Sequence, residues 1–194
     1  MKKFATGILS ILTAMLIVAA LPTEADAEIY DDTLRLHILA ASDTEEDQAL
    51  KLSVRDGILM EYSLELSGVT GLEEARAKLE ARLPDIVATA QRIVNEAGYG
   101  YTVTASLGEE WYDTRNYGDL SLPRGIYTSL IIKIGEGEGH NWWCVMYPPM
   151  CLDLATDAPA DDWTSGYTGE ELSLISGKYR VKFKLLELIS DFLS

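Results

Sequence analysis

The chain has 194 residues, of which 47% are hydrophobic and 24% charged, as is typical of a globular domain. Acidic residues outnumber basic ones by 31 to 16, which leaves a formal net charge of −15 at pH 7. This charge argues against a nucleic-acid-binding protein, because such proteins gain most of their affinity by neutralising phosphates. It also argues against electrostatic attraction to anionic lipid.

The N-terminus has the three-part pattern of a secretory signal peptide. Two lysines open it, an apolar run extends from 8 to 21, and the small residues Ala25 and Ala27 precede the expected cleavage point. The run is shorter than the roughly 20 apolar residues that a membrane-spanning helix needs. We therefore predict a signal peptide over 1–27 and a single exported domain over 28–194. An uncleaved signal anchor is the alternative.

The exported domain begins with a predicted strand followed by a helix. Residues 34–39 alternate apolar and polar side chains, which indicates a strand with one buried face. Ser42, Asp43 and Thr44 carry oxygens that can cap a helix. Apolar residues then recur every four positions and predict a helix over about 45–66.

A second helical period runs from 72 to 97. Pro84 falls inside it and predicts either a kink or two successive helices, because proline lacks the N–H that the helix needs. Gly98 is expected to end the helical stretch.

Three strands are predicted after the helices, over 101–107, 126–134 and 141–147. In the second of them Ile126, Leu130, Ile132 and Ile134 are expected to share one buried face. Alternating glycines over 135–139 predict a hairpin-like loop between the last two strands. A turn that requires positive φ explains these glycines better than a phosphate-binding loop does.

The C-terminal part begins with an acidic segment over 153–177, which we predict to be a mobile surface loop. Residues 178–185 then alternate in character and predict a strand that runs into a C-terminal helix. Its basic residues could contact an acidic partner or lipid headgroups, the alternative being a solvated strand edge. These residues are Lys178, Arg180, Lys182 and Lys184.

Helices gathered early and strands gathered late predict an α+β fold. We expect a single domain in which an N-terminal strand and helices precede a mainly antiparallel sheet and a C-terminal helix. The four histidines and cysteines lack the paired spacing of a structural zinc site, so no metal site is expected.

Two cysteines, Cys144 and Cys151, lie seven positions apart with two prolines between them. In an exported protein they could form a disulfide, or they could be two buried thiols. A third interpretation makes Cys144 the nucleophile of a thiol hydrolase with His140 or His37 as its base. His140 is a poor candidate, because residues four apart on a strand are separated by about 13 Å.

Two adjacent indoles are expected on opposite faces of the strand over 141–147. If either Trp142 or Trp143 is exposed beside Tyr147, that tryptophan becomes a candidate anchor for a binding partner. The alternative is that both are covered within the domain.

Three stretches together resemble the stage II sporulation protein R family. They are Leu34 to Lys51 with Val54-Arg55-Asp56, Gly139 to Val145 with Pro148 to Cys151, and Val181 to Lys184. The segment Asn141-Trp142-Trp143-Cys144 is the most specific of them. The family pattern has Asn where this chain has Ala41, a difference confined to the helix-capping region.

The resemblance implies a signalling role without catalysis. A member of this family is made in the forespore and exported into the space between the two membranes. There it stimulates a membrane-embedded aspartic protease of the mother cell, which removes the pro-sequence of sigma factor E. No catalytic residue and no cofactor are carried over. We predict that the contact surface is bordered by Trp142, Trp143, Tyr147, Ser42 and Asp43, and an envelope thiol hydrolase using Cys144 is the alternative.

Overall fold

The computed structural model describes residues 6–7, 9–11, 13–15, 29–66, 68–117, 120–148 and 167–176. Its helices and strands form an α+β fold, as predicted. They are β1 (Leu34–Leu39), α1 (Glu45–Tyr62) continued by a 3₁₀ turn (Ser63–Leu66), α2 (Leu72–Glu96), β2 (Val103–Tyr112), β3 (Arg115–Tyr117), β4 (Leu120–Leu122), β5 (Gly125–Ile134), β6 (Asn141–Tyr147) and α3 (Gly169–Ile175). The predicted C-terminal strand and helix lie outside the described residues. Within the described ranges no helix has both the length and the apolar character required to cross a membrane.

The main sheet has four strands in the order β2-β5-β1-β6. Strand β1 is parallel to β5 and antiparallel to β6, and β2 is antiparallel to β5. The sheet is therefore mainly antiparallel, as predicted. The predicted hairpin between β5 and β6 is wrong, because β1 lies between these two strands and the connecting loop passes over its end.

Helices α1 and α2 cover one face of the sheet, which we call the helix face. The stripe predicted on α1, formed by Leu50, Val54, Ile58 and Tyr62, is buried against it. Alternate residues of β1 and β5, including Leu36 and Leu130, complete this core. Burying these apolar side chains, at about 25 cal/mol per Å² removed from water, is the main force that joins the helices to the sheet.

Helix α2 runs without interruption through Pro84, so of the two predicted alternatives, a kink or two successive helices, the second is wrong. Leu79 and Ile86 are fully buried on either side of the proline and hold both halves in the same core. The helix ends where predicted: Gly98 has φ +86°, and the Tyr99 N–H donates to the carbonyl oxygen of Val94 over 3.1 Å. This is the Schellman geometry, in which a left-handed glycine satisfies the last helical carbonyls.

A second core lies on the opposite face, which we call the rear face. It is formed by Ile29, Tyr112, Leu122, Tyr127, Val145, Tyr167 and Ile175. Helix α3 contributes to it, so residues 167–176 of the predicted mobile acidic loop are instead a packed segment that contains this helix, with the Glu171 side chain buried. The rest of that predicted loop, 153–166 and 177, lies outside the described residues.

Candidate functional site

A buried arginine occupies the centre of the rear face. The guanidinium carbon of Arg35 lies 3.9 Å from the ring centroid of Tyr112, 5.0 Å from that of Tyr127 and 5.9 Å from that of Tyr117. Its Nη2 donates to the Tyr117 hydroxyl over 2.5 Å, while Nε and Nη1 have no hydrogen-bond partner in the described part of the chain. Cation–π attraction to these rings therefore offsets part of the cost of burying the charge.

His37 lies two residues further along β1 and joins this cluster. Its Nδ1 is 2.5 Å from Oε2 of Glu110, which also accepts a hydrogen bond from the Tyr112 hydroxyl over 3.2 Å. Burial raises the pKa of Tyr112 above its ordinary value of 10.0, so the phenol stays protonated and can donate. The sequence placed His37 on a polar strand face, yet its side chain is buried, because distant segments cover that face.

The helix-capping segment links three parts of the chain. Thr44 caps α1, since its Oγ1 accepts a hydrogen bond from the backbone N–H of Asp47 over 3.2 Å. Asp43 accepts hydrogen bonds from both the backbone N–H and the Nδ1 of His140, each over 2.5 Å. The Ser42 hydroxyl donates to the Asp47 carboxylate over 2.5 Å. The predicted cap residues therefore tie the β5–β6 loop to α1.

The glycines of this loop are needed for two different reasons. Gly135 and Gly137 have φ values of +59° and +67°, so the prediction of a turn that requires positive φ is confirmed at these two positions and is wrong at Gly139. Gly139 is needed for close approach, because its N–H donates to the carbonyl oxygen of Ala40 over 3.0 Å and its Cα packs against the backbone of Ser42.

The hydrogen bond from the His140 backbone N–H lowers the pKa of Asp43 below its ordinary value of 3.8. A carboxylate with a depressed pKa stabilises the folded state above its unfolded-state pKa, and this contribution is lost as the pH falls through the folded-state pKa. We expect Asp43→Asn to be less stable than the unsubstituted chain at pH 7, with a difference that shrinks below pH 3.8. Thermal unfolding across this pH range measures it.

Glu138→Gln is the matched control for this prediction, since Glu138 is an exposed carboxylate on the same loop. If Asp43→Asn and Glu138→Gln show the same stability at every pH, the attachment of the loop through Asp43 does not contribute to the stability of the folded domain.

The predicted partner anchors are distributed over both faces. Trp142 is half-buried on the helix face, with the Arg55 guanidinium 5.1 Å from a ring centroid. Trp143 is half-buried on the rear face, where it stacks on His37 at 5.6 Å between ring centroids. The two indoles thus point to opposite faces, as predicted. Tyr147 is only 6% exposed and belongs to the helix-face core, so its side chain offers a partner little surface.

Cys144 is fully buried and disulfide-bonded, whereas Cys151 lies outside the described residues. A thiol hydrolase needs a thiolate beside a basic imidazole, and a disulfide sulfur is not a thiolate. Neither histidine is arranged for this role, since His140 pairs with Asp43 and His37 with Glu110. In the described ranges no three His, Cys, Asp or Glu side chains come together to hold a metal ion.

An exposed apolar pair, not predicted from the sequence, lies at the far end of the sheet. Trp111 on β2 is 64% exposed, and Ile126, directly opposite it on β5, is 54% exposed. Ile126 was expected to share the buried face of Leu130, Ile132 and Ile134, but only these three are covered by the helices. Because the alternation of β2 continues to Trp111, the sequence predicts the face of the sheet on which this side chain lies. It does not predict that the side chain is exposed there.

The geometry defines an α+β protein whose mixed sheet carries two helices on one face and an aromatic cluster around a buried arginine on the other. Residues 30–157 match the family model of stage II sporulation protein R. The chain is 35% identical over 187 residues to "Stage II sporulation protein R" of Bacillus subtilis (strain 168), covering 86% of this chain and 84% of that protein. No solved structure matches it. The chain belongs to the stage II sporulation protein R family and has a role in sporulation.

Proposed function

We propose that this chain is an exported signalling protein of endospore formation. In this proposal it is secreted from the forespore into the intermembrane space and activates a membrane-embedded aspartic protease that processes pro-sigma factor E in the mother cell. Membership of the stage II sporulation protein R family carries the proposal. The signal-peptide pattern over 1–27 and the disulfide-bonded state of Cys144 support export, because disulfides persist mainly outside the cytoplasm.

Activation in this proposal is differential binding. A ligand shifts an equilibrium between inactive and active protease only if it binds the active arrangement more tightly. Moving that equilibrium from 1:99 to 99:1 requires roughly a 10⁴-fold preference. The chain itself then needs no catalytic group, and its role is to present a surface that fits the active form.

The test is processing of pro-sigma factor E in a cell engineered to make only the pro-protein, the protease and this chain. We expect processed sigma factor E, detected by immunoblot, to require the chain and to fall to background when residues 1–27 are deleted. A folded and exported chain that leaves the pro-protein unprocessed would refute the proposed function.

Two cysteine variants separate signalling from thiol catalysis in the same cells. A thiol enzyme with Cys144 as its nucleophile predicts that Cys144→Ser abolishes activity while Cys151→Ser retains it. If the chain acts only by binding, the two variants should have equal processing activity. Each variant removes one of the two cysteines, and neither sulfur acts on a substrate. The amount of exported, folded chain is measured for both variants.

A further inference from the structure

Trp111 and Ile126 together form a continuous exposed surface, which we call the β2–β5 apolar patch. They are directly opposite each other in the antiparallel register of β2 and β5. Directly opposed residues have Cβ atoms about 4.5–5.5 Å apart, so their side chains lie side by side. Isolated exposed apolar residues are normal on a protein surface, whereas contiguous ones are typical of interaction sites.

The patch lies where the sheet extends beyond its helices. On β5 the residues that alternate with Ile126 on the same face include Leu130 and Ile132, and both are fully buried in the helix-face core. Ile126 and Trp111 continue that face but remain 54% and 64% exposed. Two large apolar side chains are thereby kept in contact with water, which is unfavourable unless something covers them.

In the described part of the chain two exposed acidic residues, Glu109 and Asp113, lie next to the patch along β2, and we call them the acidic rim. Glu109 is exposed and points to the same face as Trp111, two residues away on β2, and it lies opposite Thr128. The exposed Asp113 follows β2, and an exposed basic residue, Arg124, immediately precedes β5. The whole chain has a net charge of −15.

We propose that the β2–β5 apolar patch docks into an apolar pocket with a basic rim on a partner protein. This inference rests on the proposed function, in which that partner is the membrane protease. The negative charge of the acidic rim and of the whole chain favours a basic partner protein over two other possible occupants of the patch, a second copy of the chain and a lipid surface. A second copy of the chain would place acidic rims against each other, and an anionic lipid surface would repel both the rim and the domain.

Trp111 is the expected anchor of the interface. Tryptophan is enriched among the few residues that dominate binding energy, and truncating such a residue typically costs at least ~2 kcal/mol. That corresponds to roughly a thirty-fold loss of affinity. The acidic rim is expected to act mainly on the association rate and on its salt dependence.

The experiment adds the purified exported chain to protoplasts that carry the protease and pro-sigma factor E, and records both chain binding and processing. Trp111→Ala should raise the half-maximal concentration for both by about thirty-fold or more. Met60→Ala is the matched control, because Met60 is 75% exposed on α1 and lies outside the patch. Glu109→Lys should also weaken binding, compared with Glu136→Lys on the exposed β5–β6 loop.

Each outcome decides between the hypotheses. If Trp111→Ala binds and activates like the unsubstituted chain, the patch assignment is overturned and the proposed function stands. If the chain binds through Trp111 without causing processing, the patch stands and the proposed function fails. Equal Trp111-dependent binding to protoplasts lacking the protease would identify lipid as the occupant, and loss of a solution dimer in Trp111→Ala would identify a second copy. Either of these results, or no binding by the unsubstituted chain, overturns the proposal.

Discussion

Gly139→Ala is expected to destabilise the domain by roughly 3 kcal/mol or more, the upper end of what overpacking costs. A Cβ at this position would overlap the carbonyl group of Ser42 and lie 2.9 Å from its Cα. These are backbone atoms, so no change of rotamer relieves the overlap. The loop cannot withdraw without losing the hydrogen bond from Gly139 to Ala40 and the two bonds from His140 to Asp43.

Urea unfolding of the purified exported domain measures this effect, with Gly100→Ala as its control. A Cβ on Gly100 meets nothing within 4 Å, and its φ lies outside the positive range, so this alanine should be tolerated or stabilise by about 0.4–1 kcal/mol. Equal stability of the two variants would mean that the β5–β6 loop can be rebuilt away from Ser42 at little cost.

Arg35→Ala is expected to cost about 3–5 kcal/mol, comparable with other large-to-small substitutions in a core. Arg35 is fully buried among three tyrosine rings, so alanine would leave a cavity and would deprive the Tyr117 hydroxyl of its donor. The loss combines packing, cation–π attraction and one hydrogen bond to a charged donor.

Arg35→Met should cost less than half as much as Arg35→Ala. Methionine fills most of the same volume and removes a buried charge that has two unpartnered nitrogen atoms, Nε and Nη1. The two variants are compared by their urea midpoints and m-values. Equal destabilisation by alanine and methionine would contradict this account and would show that the guanidinium charge, rather than its volume, holds the tyrosines together.

Local sequence patterns predicted those features that depend on neighbouring residues along the chain. The strands over 34–39 and 141–147 have the predicted bounds, and α1 begins directly after Thr44, one of the three residues predicted as its possible cap. Gly98 ends the second helical stretch because glycine readily adopts the positive φ that this position requires, and glycine can be recognised in the sequence. The family resemblance also rested on contiguous segments, and the family assignment is confirmed.

Part of the candidate site could be predicted in the same way, and part could not. Ser42 and Asp43 were recognisable as candidate capping residues, although Thr44 forms the cap, and nothing near them in the chain indicated that Asp43 would bind His140. The opposite facing of Trp142 and Trp143 follows from strand geometry. The burial of Tyr147 does not follow from strand geometry, because the register between β1 and β6 shifts at Leu34 and Arg35. This shift changes how the end of β6 packs.

Local patterns were sufficient to predict where the chain alternates, where α1 and α2 begin and end, and on which face most strand side chains lie. Only the folded chain decided which faces are covered. Arg35 and His37 occupy the polar positions of an alternating strand, which is the pattern of a solvated face. In the folded chain β3, β4 and residues 167–176 pack against that face and cover it. Trp111 and Ile126 occupy positions that alternate with buried core residues on the same face, yet the helices do not cover them. The physical reason is that alternation is a local property of the backbone, whereas burial depends on segments that meet from distant parts of the chain.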